Sequence, residues 1–308
     1  LIMSSELLGS AHNVLKGNLG GAWDINKGYA DAYTDLGIAR RFGGAAAAYS
    51  LRDIGAMNGR VVRVRRDSDN LEEDFSAAQV ASGAVETFVG AGNDGFVRIW
   101  YDQSGNGNDA VQDFGPNQPA IVTSGSLNDG LTFDGTNDFL QTSTQVLTGT
   151  ETGSNGIYAV VNVTSGDAGY VAGSASDNSG GGDSVGQSIY ASSASSKFIL
   201  TNGLDADAAN RDTIAITLGS FVLISACYND NDPNTLQKNS STTGYTNGSL
   251  AYNFNAGTKF TIGHRERSAG VNPATNLTGS IKEVIAFDID TTSDRSEIQA
   301  DIQNHYNI

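Results

Sequence analysis

Phe96-Val-Arg-Ile-Trp-Tyr-Asp-Gln-Ser-Gly-Asn-Gly-Asn-Asp-Ala-Val-Gln112 is the stretch from which the fold can be read. From Phe96 to Tyr101, aromatic and β-branched residues alternate with polar ones, the pattern of a half-buried strand. Asp102 to Asn108 then supply side chains that bond neighbouring amides and backbones that tolerate left-handed conformations, so the strand runs into a rigid polar corner. Alternation sets Trp100 and Tyr101 on opposite faces, so at most one of them lies in the core, and Trp100 is taken as the inward one. Corners of this composition are most often well-made turns. This one also offers groups that suit sugar hydroxyls: Asp102, Asn106 and Asn108 to hold them, and Tyr101 as a stacking face.

The rest of the chain repeats the theme. Strand-like runs follow Gly43: Ala45 to Leu51, Arg60 to Arg66, Pro119 to Ser124, Leu131 to Leu140, Gly156 to Val163, Ser188 to Tyr190, Phe198 to Thr201, Thr213 to Thr217, Phe221 to Tyr228, Lys259 to Ile262 and Gly279 to Asp288. Short strands at this spacing, separated by Gly, Asn, Asp and Ser, predict an all-β, two-sheet jelly-roll sandwich. In the run from Arg60, Val62 and Val64 alternate with Arg63 and Arg65. The acids that follow, Asp67, Asp69, Glu72, Glu73 and Asp74, point to ion pairs within the domain in preference to an anion site.

The ends differ from the middle. Leu7, Leu8, Ala11, Val14 and Leu15 recur at helical spacing behind Ser4 or Ser5, and Gly17, Gly20 and Gly21 stop the pattern. Residues 1–42 therefore read as a short N-terminal helical arm for docking or oligomerisation, and 43–308 as the sandwich. At the other end Asp294 and Glu297 have capping-box spacing, and Ile298, Ile302 and Tyr306 form one apolar stripe of a closing helix.

Composition narrows the function. The 308 residues carry 34 acidic against 18 basic side chains, a net charge of −16, which disfavours nucleic acid and anionic membrane as partners. No apolar run reaches the ~18 residues of a spanning helix. The start, Leu-Ile-Met-Ser-Ser-Glu, lacks the basic and apolar regions of an intact signal peptide. The single cysteine, Cys227, lies in an apolar run and reads as a small core residue. Asp230 and Asp232 are weak calcium candidates, since the alternating ligand spacing and closing Glu of a calcium loop are missing; no cofactor is otherwise expected. His12, His264 and His305 are too scattered to suggest a triad or a zinc site.

Several segments carry a resemblance: Ala-Tyr-Ser-Leu-Arg at 48–52, Val-Arg-Val-Arg-Arg-Asp-Ser-Asp-Asn at 62–70, Ile-Trp-Tyr-Asp-Gln-Ser-Gly-Asn-Gly-Asn-Asp-Ala at 99–110, Gln-Pro-Ala-Ile-Val at 118–122 and Phe-Asp-Gly-Thr-Asn-Asp-Phe-Leu at 133–140. They resemble the catalytic domain of the α-L-arabinofuranosidase B family, and are at least as similar to concanavalin-like jelly-roll modules of bacteriophage tail and virion proteins. The ending at 279–287 is similar to the last strand of the laminin-G and concanavalin-like group. In the arabinofuranosidase family, the resemblance implies, a nucleophilic glutamate precedes an Ile-Tyr pair. Here Gly186-Gln187-Ser188-Ile189-Tyr190 puts Gln187 at that place, and an uncharged amide cannot attack as a carboxylate does. The family's acid/base aspartate has no counterpart in Ile262-Gly263-His264-Arg265-Glu266, and its adjacent-cysteine pair is absent.

The resemblance therefore implies a non-catalytic structural or adhesion protein of a virion, not an enzyme, as a capsid decoration or tail fibre component at the virion surface. Its partners would be other virion proteins, further copies of itself and a host-surface glycan held by Tyr101, Asp102, Asn106, Asn108, Gln187 and Tyr190. The alternative is an extracellular arabinofuranosidase-like retaining glycoside hydrolase using Asp102, Glu266 or an acid between Asp177 and Asp183.

Overall fold

The computed structural model describes residues 37–55, 59–148, 154–164, 169–177, 184–192, 196–202, 212–229, 232–242, 258–265 and 276–308. Among the described residues, eighteen strands are joined in one hydrogen-bonded, antiparallel network. The expected two-sheet sandwich is thus corrected to a single curved sheet; the chain is all-β as read. β4 (Gly95–Trp100), the strand that opens the deciding stretch, is the reason. It pairs with β5 (Ala110–Val111) towards one end and with β6 (Ala120–Thr123) towards the other.

From β5 the sheet runs through β8 (Leu140–Gln141), β17 (Thr261–Ile262), β10 (Gly169–Asp177), β11 (Ser184–Ser192) and β12 (Lys197–Asn202) to β13 (Asp212–Ala215). From β6 it runs through β7 (Ser126–Asp134), β18 (Thr278–Phe287), β9 (Asn155–Val163) and β14 (Val222–Asn229) to β15 (Asp232–Lys238). What would have been two stacked sheets share β4 as a hinge strand. The far margins also approach, since Lys238 Nζ donates to the Ala215 carbonyl at 2.9 Å. The result is a nearly closed barrel.

Alternation along the strands fills the barrel with Tyr49, Phe75, Trp100, Phe133, Ile189, Phe260 and Ile281, each no more than 1% exposed. β9 and β18 are buried on both faces, so they read as continuous apolar runs where an outer strand would alternate. A second core covers their outer side: Ile38, Ala39 and Phe42 from the start of the described chain, and Ile298 and Ile302 from the C-terminal helix, Arg295–Tyr306. Residues 1–36 of the expected arm lie outside the described residues. Asp294 does stand at the helix N-cap, but its side chain makes no capping bond, so the expected capping box is not formed. A capping box occurs where none was read, between Ser76 and Gln79, at the start of the helix Ala77–Ala81. A second helix, Ala84–Val89, follows at once.

The arginines of β2 (Val62–Arg66) pair as expected. Arg63 bonds Asp74 at 2.7 Å, Arg66 bonds Asp69 at 2.6 Å, and Arg98 of β4 bonds Glu72 at 2.7 Å. The Arg63 bond to Asp74 holds that carboxyl well below the usual range.

The C-terminal helix is fastened by charge as well as by apolar burial. Glu283, 1% exposed, takes Arg52 Nε at 2.8 Å and Nη2 at 3.0 Å, and the Tyr306 hydroxyl at 3.0 Å. Arg52 also reaches Asp301 on the helix at 3.0 Å.

Candidate functional site

The polar corner after β4 is spent on the fold itself. The Asp102 carboxylate accepts from the amides of Ala48 (2.9 Å), Ser104 (2.9 Å) and Asn108 (3.0 Å) and from the Ser104 hydroxyl (2.7 Å). Asn106 and Asn108 donate to the Ala46 carbonyl at 3.1 and 2.9 Å, and Asn106 also to Ala45. Together they clamp the start of β1 (Ala47–Ser50) to the corner. Gln103, buried and unremarked in the sequence, does the same for Ile54, Ser50 and Arg52. Tyr101 is 6% exposed, so it and Trp100 are both inside despite pointing to opposite faces. Arg60 covers its ring at 4.4 Å, and its hydroxyl donates to Asp74 at 2.7 Å; burial, then Asp74, pushes its pKa up to about 12.

Gln187 stands elsewhere, on β11. One transverse rung of the sheet leads to it. Trp100 lies opposite Ala110, and Val111 opposite Gln141, so Ala110 faces Thr142 on the same rung. Thr261 lies opposite both Gln141 and Gly173, so Phe260 and Ser174 come next; Ser174 lies opposite Gln187. All of these side chains project to the barrel interior. Tyr49 packs between the rings of Trp100 and Phe260, at 5.8 and 6.4 Å.

This rung holds an uncommon concentration of unmet polarity. Gln187 and Ser174 are both 0% exposed, and among the described residues neither the two amide atoms of Gln187 nor the Ser174 hydroxyl has a hydrogen-bond partner. The Trp100 indole Nε1 at the other end is unpartnered as well. A buried polar group without a partner costs about 1–3 kcal/mol, so native chains rarely keep several together unless water or a ligand meets them. Close backbone contact shapes the place: a Cβ on Gly173 would lie 2.3 Å from the Gln187 carbonyl oxygen, so only glycine lets β10 and β11 approach here.

Tyr190, three residues on from Gln187, lies on the opposite face by alternation. There its ring stands 4.8 Å from that of Tyr170, whose hydroxyl accepts from Arg265 at 2.9 Å. His264 is 4% exposed, its Nδ1 3.1 Å from Asn276 Oδ1 and its ring 5.0 Å from Phe139. The structure thus separates the six sequence candidates into three places: a structural corner with Tyr101, the inner rung with Gln187, and the outer face with Tyr190. Asp230, Glu266, residues 178–183 and His12 lie outside the described residues, and Asp232 opens β15. Among the described residues no three His, Cys, Asp or Glu side chains cluster as metal ligands would.

Asp138, which sequence reasoning missed, sits in the turn between β7 and β8. It is 7% exposed and accepts from the Asp134 amide at 3.0 Å. Burial, then the negative charge of Asp134, pushes its pKa up to about 7. The folded state therefore holds this proton more tightly than the unfolded chain, whose carboxyl titrates near about 4. Stability falls as pH rises through that window, by at most about 1.4 kcal/mol per pH unit. Asp138→Asn, which keeps an acceptor for Asp134, removes the fall; melting temperatures between pH 4 and 8 check it.

No family model matches the sequence, and no curated protein matches it. Solved structures do. An arabinofuranosidase complexed with arabinofuranosyl-α-1,2-xylobiose superposes with a TM-score of 0.60 at 18% identity, over 84% of this chain and 62% of that one. A glutamate-to-glutamine mutant of a GH54 α-L-arabinofuranosidase, soaked with 4-nitrophenyl α-L-arabinofuranoside, gives 0.59 at 19% identity over the same shares. A Trypanosoma rangeli sialidase gives 0.46 at 14% identity over 66% of this chain and 30% of that one, too weak a match to add to the fold. This chain spans about three fifths of the arabinofuranosidase chains it matches. The fold is that of arabinofuranosidases. The arabinofuranosidase neighbours correct the expectation of a non-catalytic bacteriophage virion, capsid or tail fibre protein, and with it the expectation that the chain is no enzyme: the structures that share its fold are glycoside hydrolases.

Proposed function

We propose that this chain is a glycoside hydrolase of the arabinofuranosidase type, acting on terminal arabinofuranosyl groups of xylan-like oligosaccharides. The observation that carries the reading is the buried pair Ser174 and Gln187, unpartnered on one rung of a barrel whose fold arabinofuranosidases share. An amide and a hydroxyl side by side supply both donors and acceptors, which is what adjacent sugar hydroxyls need. Phe260, the next residue on the rung, offers an apolar wall for the carbon face of the ring.

Gln187 binds and orients in this proposal; it does not attack. A retaining reaction requires two carboxyl groups about 5–5.5 Å apart, one as nucleophile and one as acid/base. We assign them among three acids that flank these strands in the sequence: Asp177 at the end of β10, Asp183 just before β11, and Glu266 directly after Arg265.

The test is release of nitrophenolate from 4-nitrophenyl α-L-arabinofuranoside and of arabinose from arabinofuranosyl-xylobiose. Turnover is expected on both, with two of the three carboxamide variants Asp177→Asn, Asp183→Asn and Glu266→Gln lowering kcat by about a hundredfold or more. No release from either substrate overturns the reading.

A further inference from the structure

The three consecutive acids of β3 (Glu72–Phe75) do not share one fate. Glu72 and Asp74 face the arginines of β2 and β4 and are paired with them. Glu73, opposite Val64, projects to the other side by alternation; its charge reaches Arg66, but among the described residues its carboxylate has no hydrogen bond of its own. There the two short helices Ala77–Ala81 and Ala84–Val89 lie against the sheet and leave a groove of about 440 Å³, lined by Glu73, Ser82, Ala84, Thr87 and Phe88.

The lining has a definite chemistry. Phe88 is half-buried and forms the aromatic wall, held from behind by Phe75 at 5.6 Å. The Ser82 hydroxyl donates to the Gln79 carbonyl and the Thr87 hydroxyl to the Gly83 carbonyl, so each presents only its oxygen lone pairs to the groove. With the Glu73 carboxylate this makes three acceptors around one aromatic surface. Such a set takes a ligand that donates hydrogen bonds and stacks. A cation would meet Arg66, whose guanidinium already lies 5.0 Å from the Phe88 ring centre and bonds both Asp69 and the Phe88 carbonyl. A neutral ligand avoids that repulsion.

We propose that this groove is a second carbohydrate site, taking a neutral sugar unit of a polysaccharide, stacked on Phe88 with its hydroxyls donating to Glu73, Ser82 and Thr87. It rests on the proposed action upon glycans for its biological sense, but not for its test. The groove and the Ser174–Gln187 rung lie on different parts of the chain, so one holds polymer while the other meets the cleaved unit.

Affinity electrophoresis of the full chain in gels containing soluble arabinoxylan or linear arabinan reads binding without catalysis. Retardation by at least one polymer is expected. Glu73→Ala and Thr87→Trp, both at exposed positions, should each weaken it about five- to tenfold, the scale of one or two lost polar contacts. Both should leave hydrolysis of 4-nitrophenyl α-L-arabinofuranoside at the wild-type rate. Wild-type migration unaffected by either polymer, or retardation that both variants retain in full, overturns the proposal. Groove-dependent retardation by a chain that cleaves nothing supports this site while the hydrolase reading fails, so the two are separable.

Discussion

Replacing Glu283 by alanine lowers the melting temperature by about 4–6 °C, the shift expected when about 3 kcal/mol is lost from a chain of this size. The physical reason is asymmetry. Glu283 is 1% exposed and accepts three hydrogen bonds, two from Arg52 and one from Tyr306. Removing it leaves a guanidinium and a phenol facing one another in a site from which water is largely excluded, with Asp301 as the arginine's remaining carboxylate among the described residues. Breaking one half of a buried pair costs more than the pair contributes. Glu283→Gln keeps the shape and one acceptor and should fall between wild type and alanine. Thermal unfolding followed by circular dichroism measures both. A melting temperature for Glu283→Ala within about 2 °C of wild type would mean that the C-terminal helix is held by Ile298 and Ile302 alone.

Gln187→Met is expected to move stability and sugar handling in opposite directions. Methionine matches the length of glutamine and carries no strong polar group, so the unmet amide disappears and stability rises by about 1–2 kcal/mol. The same change removes the donor and acceptor assigned to the sugar, lowering kcat/KM on arabinofuranosides by about tenfold or more. Urea unfolding and substrate kinetics on one preparation decide it. A residue with a purely architectural role would lose stability on substitution and leave KM untouched. Loss of stability together with wild-type kinetics therefore removes Gln187 from the site.

Much of the strand inventory was legible because strand and turn chemistry is local. Phe221 to Tyr228 and Gly279 to Asp288 announced themselves as apolar runs, and Ile298, Ile302 and Tyr306 gave the last helix by spacing alone. The closure of the sheet was not legible. It depends on β4 being shared between β5 and β6, and nothing in Phe96 to Tyr101 states how many neighbours that strand takes. The helices at Ala77–Ala81 and Ala84–Val89 were missed because each is barely one turn and a half long, too short for periodicity to emerge.

The site divides in the same way. Asp102, Asn106 and Asn108 attract attention as a polar cluster, yet that clustering is what lets them satisfy one another and the Ala46 carbonyl. Gln187 was found through a resemblance, while its neighbour Ser174 and the wall residue Phe260 could not be. Residues 100, 142, 174, 187 and 260 share a rung only through pairings between strands far apart in sequence, and register of that kind is set by the assembled core.

The approach of β13 to β15 has a bearing on how such a chain survives in crowded solution. An open sheet displays along each border a row of amides and carbonyls that a strand from another molecule can adopt, which is how fibrils and runaway aggregates begin. Here the β13 border is only four residues long, the end of β15 is covered by β16 (Ser241–Thr242), and the Lys238 ammonium of β15 lies across the gap to β13. A stranger's backbone finds little length to grip and a fixed charge in the way, so docking along the seam has first to prise it apart.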